Sequence, residues 1–196
     1  IKLLYAPQSN KIGVYGFVFE SYGFGHYLEK LPNGMLSVSH GGQGNGIMTH
    51  LQAVPETGDA IVILTNSQRS WPFIAYILSD WAQWRGFPSV SMGRIIWGHY
   101  GLCVVIGMLV SASILVILRL VSTFYQQKRA RFRLIRVSAA FILLGILIWC
   151  TCQKYLFITS VFPVLSVWLG GTAFVFSIVL LLSVVLPACP RKKDKL

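Results

Sequence analysis

Acidic residues are scarce in this chain and nearly missing from its second half: six of 196 residues are Asp or Glu, and only Asp194 lies beyond residue 88. Cysteine is absent from residues 1–88, which excludes a disulfide-braced scaffold there. Cys103, Cys150, Cys152 and Cys189 all lie in or beside apolar runs. The Cys150-x-Cys152 pair has no His or carboxylate cluster near it, so it reads as helix packing, and neither a metal nor another cofactor is expected. The apolar runs themselves contain no acid and no lysine. That leaves little for a proton relay or an ion path, so transport is the weakest of the functions considered.

What is present is apolar. Hydrophobic residues make up 55% against 12% charged, and the mean hydropathy is +0.64, beyond the range of an ordinary soluble domain. The net charge of +11 would suit nucleic acid, but its location removes that partner. Residues 1–88 are balanced: Lys2, Lys11, Lys30, Arg69 and Arg85 against Glu20, Glu29, Glu56, Asp59 and Asp80. The excess lies among the apolar runs, where basic residues report membrane topology and not phosphate binding.

A helix needs about 20 apolar residues to cross the hydrocarbon core. Residues 95–118 and 137–153 are free of charged side chains, and so is the longer stretch 155–190, whose span is placed near 165–186, after Pro163. The connection between the first two contains Arg119, Lys128, Arg129, Arg131, Arg133 and Arg136, the second connection contains Lys154, and the tail ends RKKDKL. By the positive-inside rule the first loop and the tail are cytoplasmic, and residues 1–88 lie outside a plasma membrane crossed three times. Membrane lipids are therefore the expected surroundings, with the basic loop as an anchor. The chain begins with Ile1 and shows no signal peptide, so a preceding segment is expected.

Residues 1–88 read as strands followed by one helix. The stretch YGFGHYLE at 22–29 is aromatic-rich, Asn33-Gly34 signals a tight hairpin turn, and MLSVSHGG at 35–42 returns as a strand. On that strand Leu36, Val38 and His40 share one face, and Ser37, Ser39 and Gly41 the other. GIMTHLQAV and AIVILTN form a second hairpin across PETGD, giving an antiparallel meander of four strands. Ser70 as N-cap and Pro72 in the first turn open a helix to about Arg85, with Ile74, Ile77, Leu78 and Trp81 facing the sheet. Trp84 fits either the core or the membrane interface, and Trp97 fits the interface.

Taken in order, YGFG at 22–25, HGG at 40–42, GNGIMTHLQAVPETGDAIVILTN at 44–66 and the helix opening SWPF resemble the C-terminal end of the class C beta-lactamase and penicillin-binding-protein-like serine hydrolases. The resemblance covers about residues 3–86. It implies an α+β fold there, the C-terminal part of a beta-lactamase/transpeptidase-like domain with an antiparallel sheet and a packing helix; the apolar runs, which lie outside the resemblance, add an all-α membrane region of three transmembrane helices. The expected organisation is 1–88 as the hydrolase-like part, 89–94 as linker, 95–190 as the three-span region and 191–196 as a basic cytoplasmic tail.

The same resemblance assigns a site. His40 stands where the family's strand motif has a lysine or histidine near the substrate carboxylate, and Gly41 and Gly42 complete that motif. The backbone N–H of Gln43 would be half of an oxyanion hole, with Gly42 letting substrate approach the strand edge. Gly41 replaces the Thr or Ser hydroxyl found in many members. Ser-x-x-Lys and Tyr-x-Asn, which supply the nucleophile and its base, do not occur here. The resemblance implies a peptidoglycan peptide or a beta-lactam-like amide or ester as substrate, acyl transfer as the reaction, and a chain that is silent alone, its groove half open and part of the sheet face uncovered. A non-catalytic binding or sensor module on the same fold is the alternative. His26, His50 and His99, lacking a convergent acid or second ligand, are expected to be structural.

Overall fold

Two Asn-Gly turns set the sheet in the computed structural model, which describes residues 3–126 and 133–186. At the first, Gly34 takes a φ of 88° and donates its N–H to the Leu31 carbonyl at 2.8 Å, while Leu31 N–H donates to the Met35 carbonyl. At the second, Gly46 takes a φ of 79° and leaves Gly44 paired with Ile47. Glycine adopts these left-handed conformations without the Cβ clash that other residues incur.

The strands are β1 (Ser21–Tyr22), β2 (Tyr27–Lys30), β3 (Leu36–Gly44), β4 (Ile47–Val54) and β5 (Asp59–Thr65), each antiparallel to the next. The meander has five strands where four are expected, because the aromatic stretch 22–29 is interrupted by a turn through Gly25, whose φ is 80°. Helix α1 (Trp71–Arg85) begins and ends as expected, with Pro72 in its first turn and Gly86 in the left-handed conformation at its C-cap. Ser70 precedes it without capping it by its side chain; its hydroxyl donates to the Ser67 carbonyl instead.

Burial along β3 does not simply alternate: Ser37, Val38 and Ser39 are all buried and residues 40–43 are exposed, so the serine face is covered as well as Val38. Ser37 and Ser39 are buried together with Met48, His50, Gln52, Val54 and Ile63 of β4 and β5, on the side that also holds buried Ile74 and Leu78 of α1. His40 is exposed, and the opposite side leaves Val62 at 63% and Leu64 at 74% exposed. Trp84 is not core: 77% of it is exposed.

The chain divides into two compact units, Ile1–Gly101 with Phe157–Pro163, and Leu102–Leu156 with Val164–Leu196. Among the described residues, three helices are long and apolar enough to cross a membrane: Ser91–Ser122, Arg133–Cys152 and Pro163–Val185. By hydrogen bonding they are α2 (Arg94–Gln126), α3 (Arg133–Cys152) and α5 (Pro163–Val185), with a short α4 (Phe157–Val161) before the last. In the second unit Arg136 donates to Ser183 Oγ at 3.1 Å and Arg133 to the Val184 carbonyl at 2.8 Å, so the first turn of α3 lies beside the last turn of α5. Small residues Ala140, Ala173, Ser177 and Ser183 are buried, as in close helix contacts within lipid. Lys128, Arg129, Arg131, Cys189 and the tail 191–196 lie outside the described residues.

Residues 89–94, expected as a linker, include buried Val90, Ser91 and Met92. Ser91 donates its backbone N–H at 2.6 Å and its hydroxyl at 2.8 Å to Oε1 of Glu29, a buried carboxyl on β2. Burial raises the Glu29 pKa above its ordinary 4.5, and the nearby Glu20 adds to this; the Ser91 hydrogen bonds and Arg94 oppose it. A carboxyl shifted upward contributes stability that is complete below the unfolded value and is lost as pH rises through the folded one. Glutamine accepts the same two bonds without charging. In the full chain in detergent, Glu29→Gln should therefore gain melting temperature over the parent as pH rises from 4.5 toward neutrality, and a constant difference across that range would contradict this account.

Candidate functional site

Strand β3 outruns its neighbour. Its pairing with β2 ends at Ser39, while its pairing with β4 continues from Val38 to Gly44, so among the described residues His40 to Gly44 have a strand on one side only. Gly41, Gly42 and Gln43, three of the four residues the sequence nominates, line a cavity of about 100 Å³ at this edge. His40 does not line it. Its exposed ring stacks at 6.3 Å on Tyr27, which does.

Both glycines are required by close approach. A Cβ on Gly42 would lie 2.8 Å from Thr49 Oγ1, the atom that accepts the Gly42 N–H, and a Cβ on Gly41 would lie 3.1 Å from the Thr49 carbonyl oxygen. The amide of Gly42 is thus committed to Thr49. A side chain at either position would also crowd the cavity mouth.

The cavity wall opposite is one that the sequence reading set aside. His50 pairs with Gly41 across the sheet, lines the cavity and is only 3% exposed. Its Nε2 lies 3.0 Å from Gln52 Oε1; Gln52, 1% exposed, donates through Nε2 to Ser37 Oγ, and Ser37 in turn donates to the Ala53 carbonyl at 3.4 Å. In the orientation that lets Ser37 accept from Gln52 and donate to the Ala53 carbonyl, the Gln52 oxygen faces His50 and pairs with a proton on Nε2. That places an unprotonated Nδ1 3.6 Å from where a Gly41 Cβ would be. Burial lowers the His50 pKa below its ordinary 6.5 and His40 lowers it further, against the opposing Gln52 bond, so the ring is neutral at neutral pH.

Trp71, at the start of α1, also lines the cavity, and its indole N–H is buried without a hydrogen-bond partner among the described residues. Tyr15, Phe19 and Tyr27 form an aromatic side, with the Phe19 and Tyr27 rings 4.0 Å apart and nearly parallel. No group of three or more His, Cys, Asp or Glu side chains converges among the described residues. The signal that would have placed His50 is in the sequence: pairing outward from Asn45-Gly46 puts Ile47 against Gly44 and hence His50 against Gly41.

Compared with protein-family models, curated proteins and solved structures, the chain has no significant match.

The Gly42–Thr49 contact yields a prediction. Gly42→Ala should cost roughly 1–3 kcal/mol of unfolding free energy by overpacking. In a Thr49→Ala background, where Oγ1 is gone, the same change should cost clearly less, a coupling of about 1 kcal/mol in a double-mutant cycle. Additive costs in chemical denaturation would show that the two groups do not meet.

Proposed function

We propose that residues 1–88 are the C-terminal part of an extracytoplasmic serine hydrolase domain of the beta-lactamase and penicillin-binding-protein-like type, anchored by three spans with its tail in the cytoplasm. Acyl transfer from an amide or ester, such as a peptidoglycan peptide or a beta-lactam, is the proposed reaction. The observation that carries the reading is the open β3 edge: Gly41, Gly42 and Gln43 sit at a cavity, on a strand whose far side has no partner among the described residues. An edge of this kind can hold an extended substrate by its main chain and offer N–H groups to a developing oxyanion. In this role Gln43 supplies the oxyanion donor from its backbone, and exposed His40 supplies a hydrogen bond and positive potential beside it.

The exposed apolar side of β4 and β5 supports the same reading, since it is surface that a further part of such a domain would cover. The nucleophile belongs to that part. Neither Ser-x-x-Lys nor Tyr-x-Asn occurs in these 196 residues, so this chain contributes the electrostatic half of the site.

The test is covalent labelling of the complete gene product in membranes with a fluorophosphonate or a labelled penicillin. Label should appear on a serine preceding residue 1, and His40→Ala should slow labelling by about 10²- to 10³-fold, the scale of a lost oxyanion-site donor. No label on the complete product would favour a non-catalytic binding module. Stoichiometric label on a serine within residues 1–196 would contradict the proposed division of the site.

A further inference from the structure

The cavity at the β3 edge is walled by residues that also fasten the sheet to the starts of two apolar helices. Gly98 of α2 comes so close to Phe162, the residue before α5, that a Cβ on it would lie 3.1 Å from the Phe162 ring. The starts of the first and third apolar helices are therefore neighbours, and three crossings of one membrane put both on the same side. Two contacts join this pair to the cavity. Tyr15, which lines it, meets the Phe157 ring of α4 edge-on at 6.4 Å and lies 6.0 Å from Tyr27, a second lining residue. Tyr27 belongs to β2, where the Glu29 carboxyl accepts two hydrogen bonds from Ser91, the first residue of the first apolar helix. Tyr15 sits in the short 3₁₀ helix Gly13–Phe17, whose Phe17 carbonyl accepts from Arg94 Nη1 at 3.5 Å. That helix leaves Val14 exposed and Phe17 72% exposed, and Trp97 is exposed in the first turn of α2.

We propose that the 3₁₀ helix Gly13–Phe17 rests in the membrane interface with Val14 and Phe17 in lipid, and that the cavity is served from the bilayer by an amphiphile, whose small uncharged head enters beside Gly41 while its apolar tail stays among the lipids. Phe17 is tied to Arg94, three residues before Trp97, so its apolar surface adjoins a helix that itself needs lipid around it. Aromatic side chains gather at that depth, and an apolar turn held there sinks into the boundary between headgroups and acyl chains. The cavity's own dimensions fit the same ligand. Its volume of about 100 Å³ holds a head of a few atoms, so the rest of an amphiphile must lie outside it. No Lys, Arg, Asp or Glu lines it, so a charged head would be desolvated without a counter-ion. This deepens the acyl-transfer reading by making the substrate lipid-borne, and rests on that reading only for the choice of an ester or amide as the head.

The test uses the full chain in nanodiscs of phosphatidylethanolamine and phosphatidylglycerol. In one arm, p-benzoylphenylalanine is placed at position 17 or, as a control on the exposed side of β5, at position 64; after irradiation, lipid adducts should be roughly tenfold more abundant from position 17. In the other arm, a diazirine-bearing amide with a dodecyl chain is compared with its methyl counterpart. The dodecyl probe should label the cavity residues Tyr15 or Met48 saturably, at a roughly tenfold lower concentration than the methyl probe, and the double variant Val14→Asp with Phe17→Asp, which expels the turn from lipid, should lose most of that advantage. Equal adducts from positions 17 and 64, no saturable labelling of the cavity by the dodecyl probe, equal concentrations for the two probes, or an unchanged advantage in the double variant would each overturn the proposal. Neither arm needs a nucleophile. Absence of fluorophosphonate label on the complete product would therefore remove the acyl-transfer reading and leave these results standing, and failure of either arm would leave that labelling untouched.

Discussion

A sheet face made of serine, glutamine and histidine can be covered by a helix only if its polar groups satisfy one another first. Here they do so in one direction, from His50 through Gln52 and Ser37 to the Ala53 carbonyl, each member donating to the next. Buried polar chains of this kind fix rotamers and tautomers together, since turning one member orphans its neighbours. Flipping the Gln52 amide would turn the Ser37 hydroxyl toward it at the expense of the Ala53 carbonyl, and would require His50 to accept at Nε2. Everything else at the site follows from that order: the cavity is lined by an acceptor and not by a second donor, and β4 is held in the register that sets His50 against Gly41.

The β3–β4 hairpin then meets two demands at once. Its inner residues complete the polar chain, while its outer end projects past β2 and, among the described residues, has a strand on one side only. Gly41 and Gly42 make the two compatible, because a Cβ on either would press on Thr49 and force β3 away from β4. An edge strand left open is ordinarily a liability that proteins shorten or charge. This one is neither shortened nor charged; it is glycine-rich, lines a cavity and lies beside aromatic rings, which is why it supports a binding role.

Much of this was legible in the sequence, and what was not has definite causes. Span lengths and positions depend only on hydrophobic thickness and uncharged runs, so the three apolar helices emerge within a few residues of where they are expected. The α1 helix is bounded by Pro72 and Gly86, whose backbone preferences are local. The side-chain period of β3 was also local. Which side would be covered was not, because period two has no sign: Leu36, Val38 and His40 look like the inner face until Ser37 is seen to have Gln52 as a partner. His50 was passed over because no acid or second ligand lies near it in sequence, whereas its partner is an amide two residues away on the same strand face. Residues 41–43 were nominated through a family resemblance that rests on the order of several short motifs, and no comparison with known proteins adds to it.

The protonation of His50 tests the account most directly, since the polar chain, the buried neutral ring and the acceptor at the cavity all meet there. Selective ¹⁵N labelling of the four histidines in the full chain, with His50 assigned through His50→Gln, reports the state of each ring nitrogen. The account requires a neutral ring at neutral pH, with a protonated Nε2 and a bare Nδ1. A ring protonated at Nδ1 alone, or a cationic ring, would contradict it.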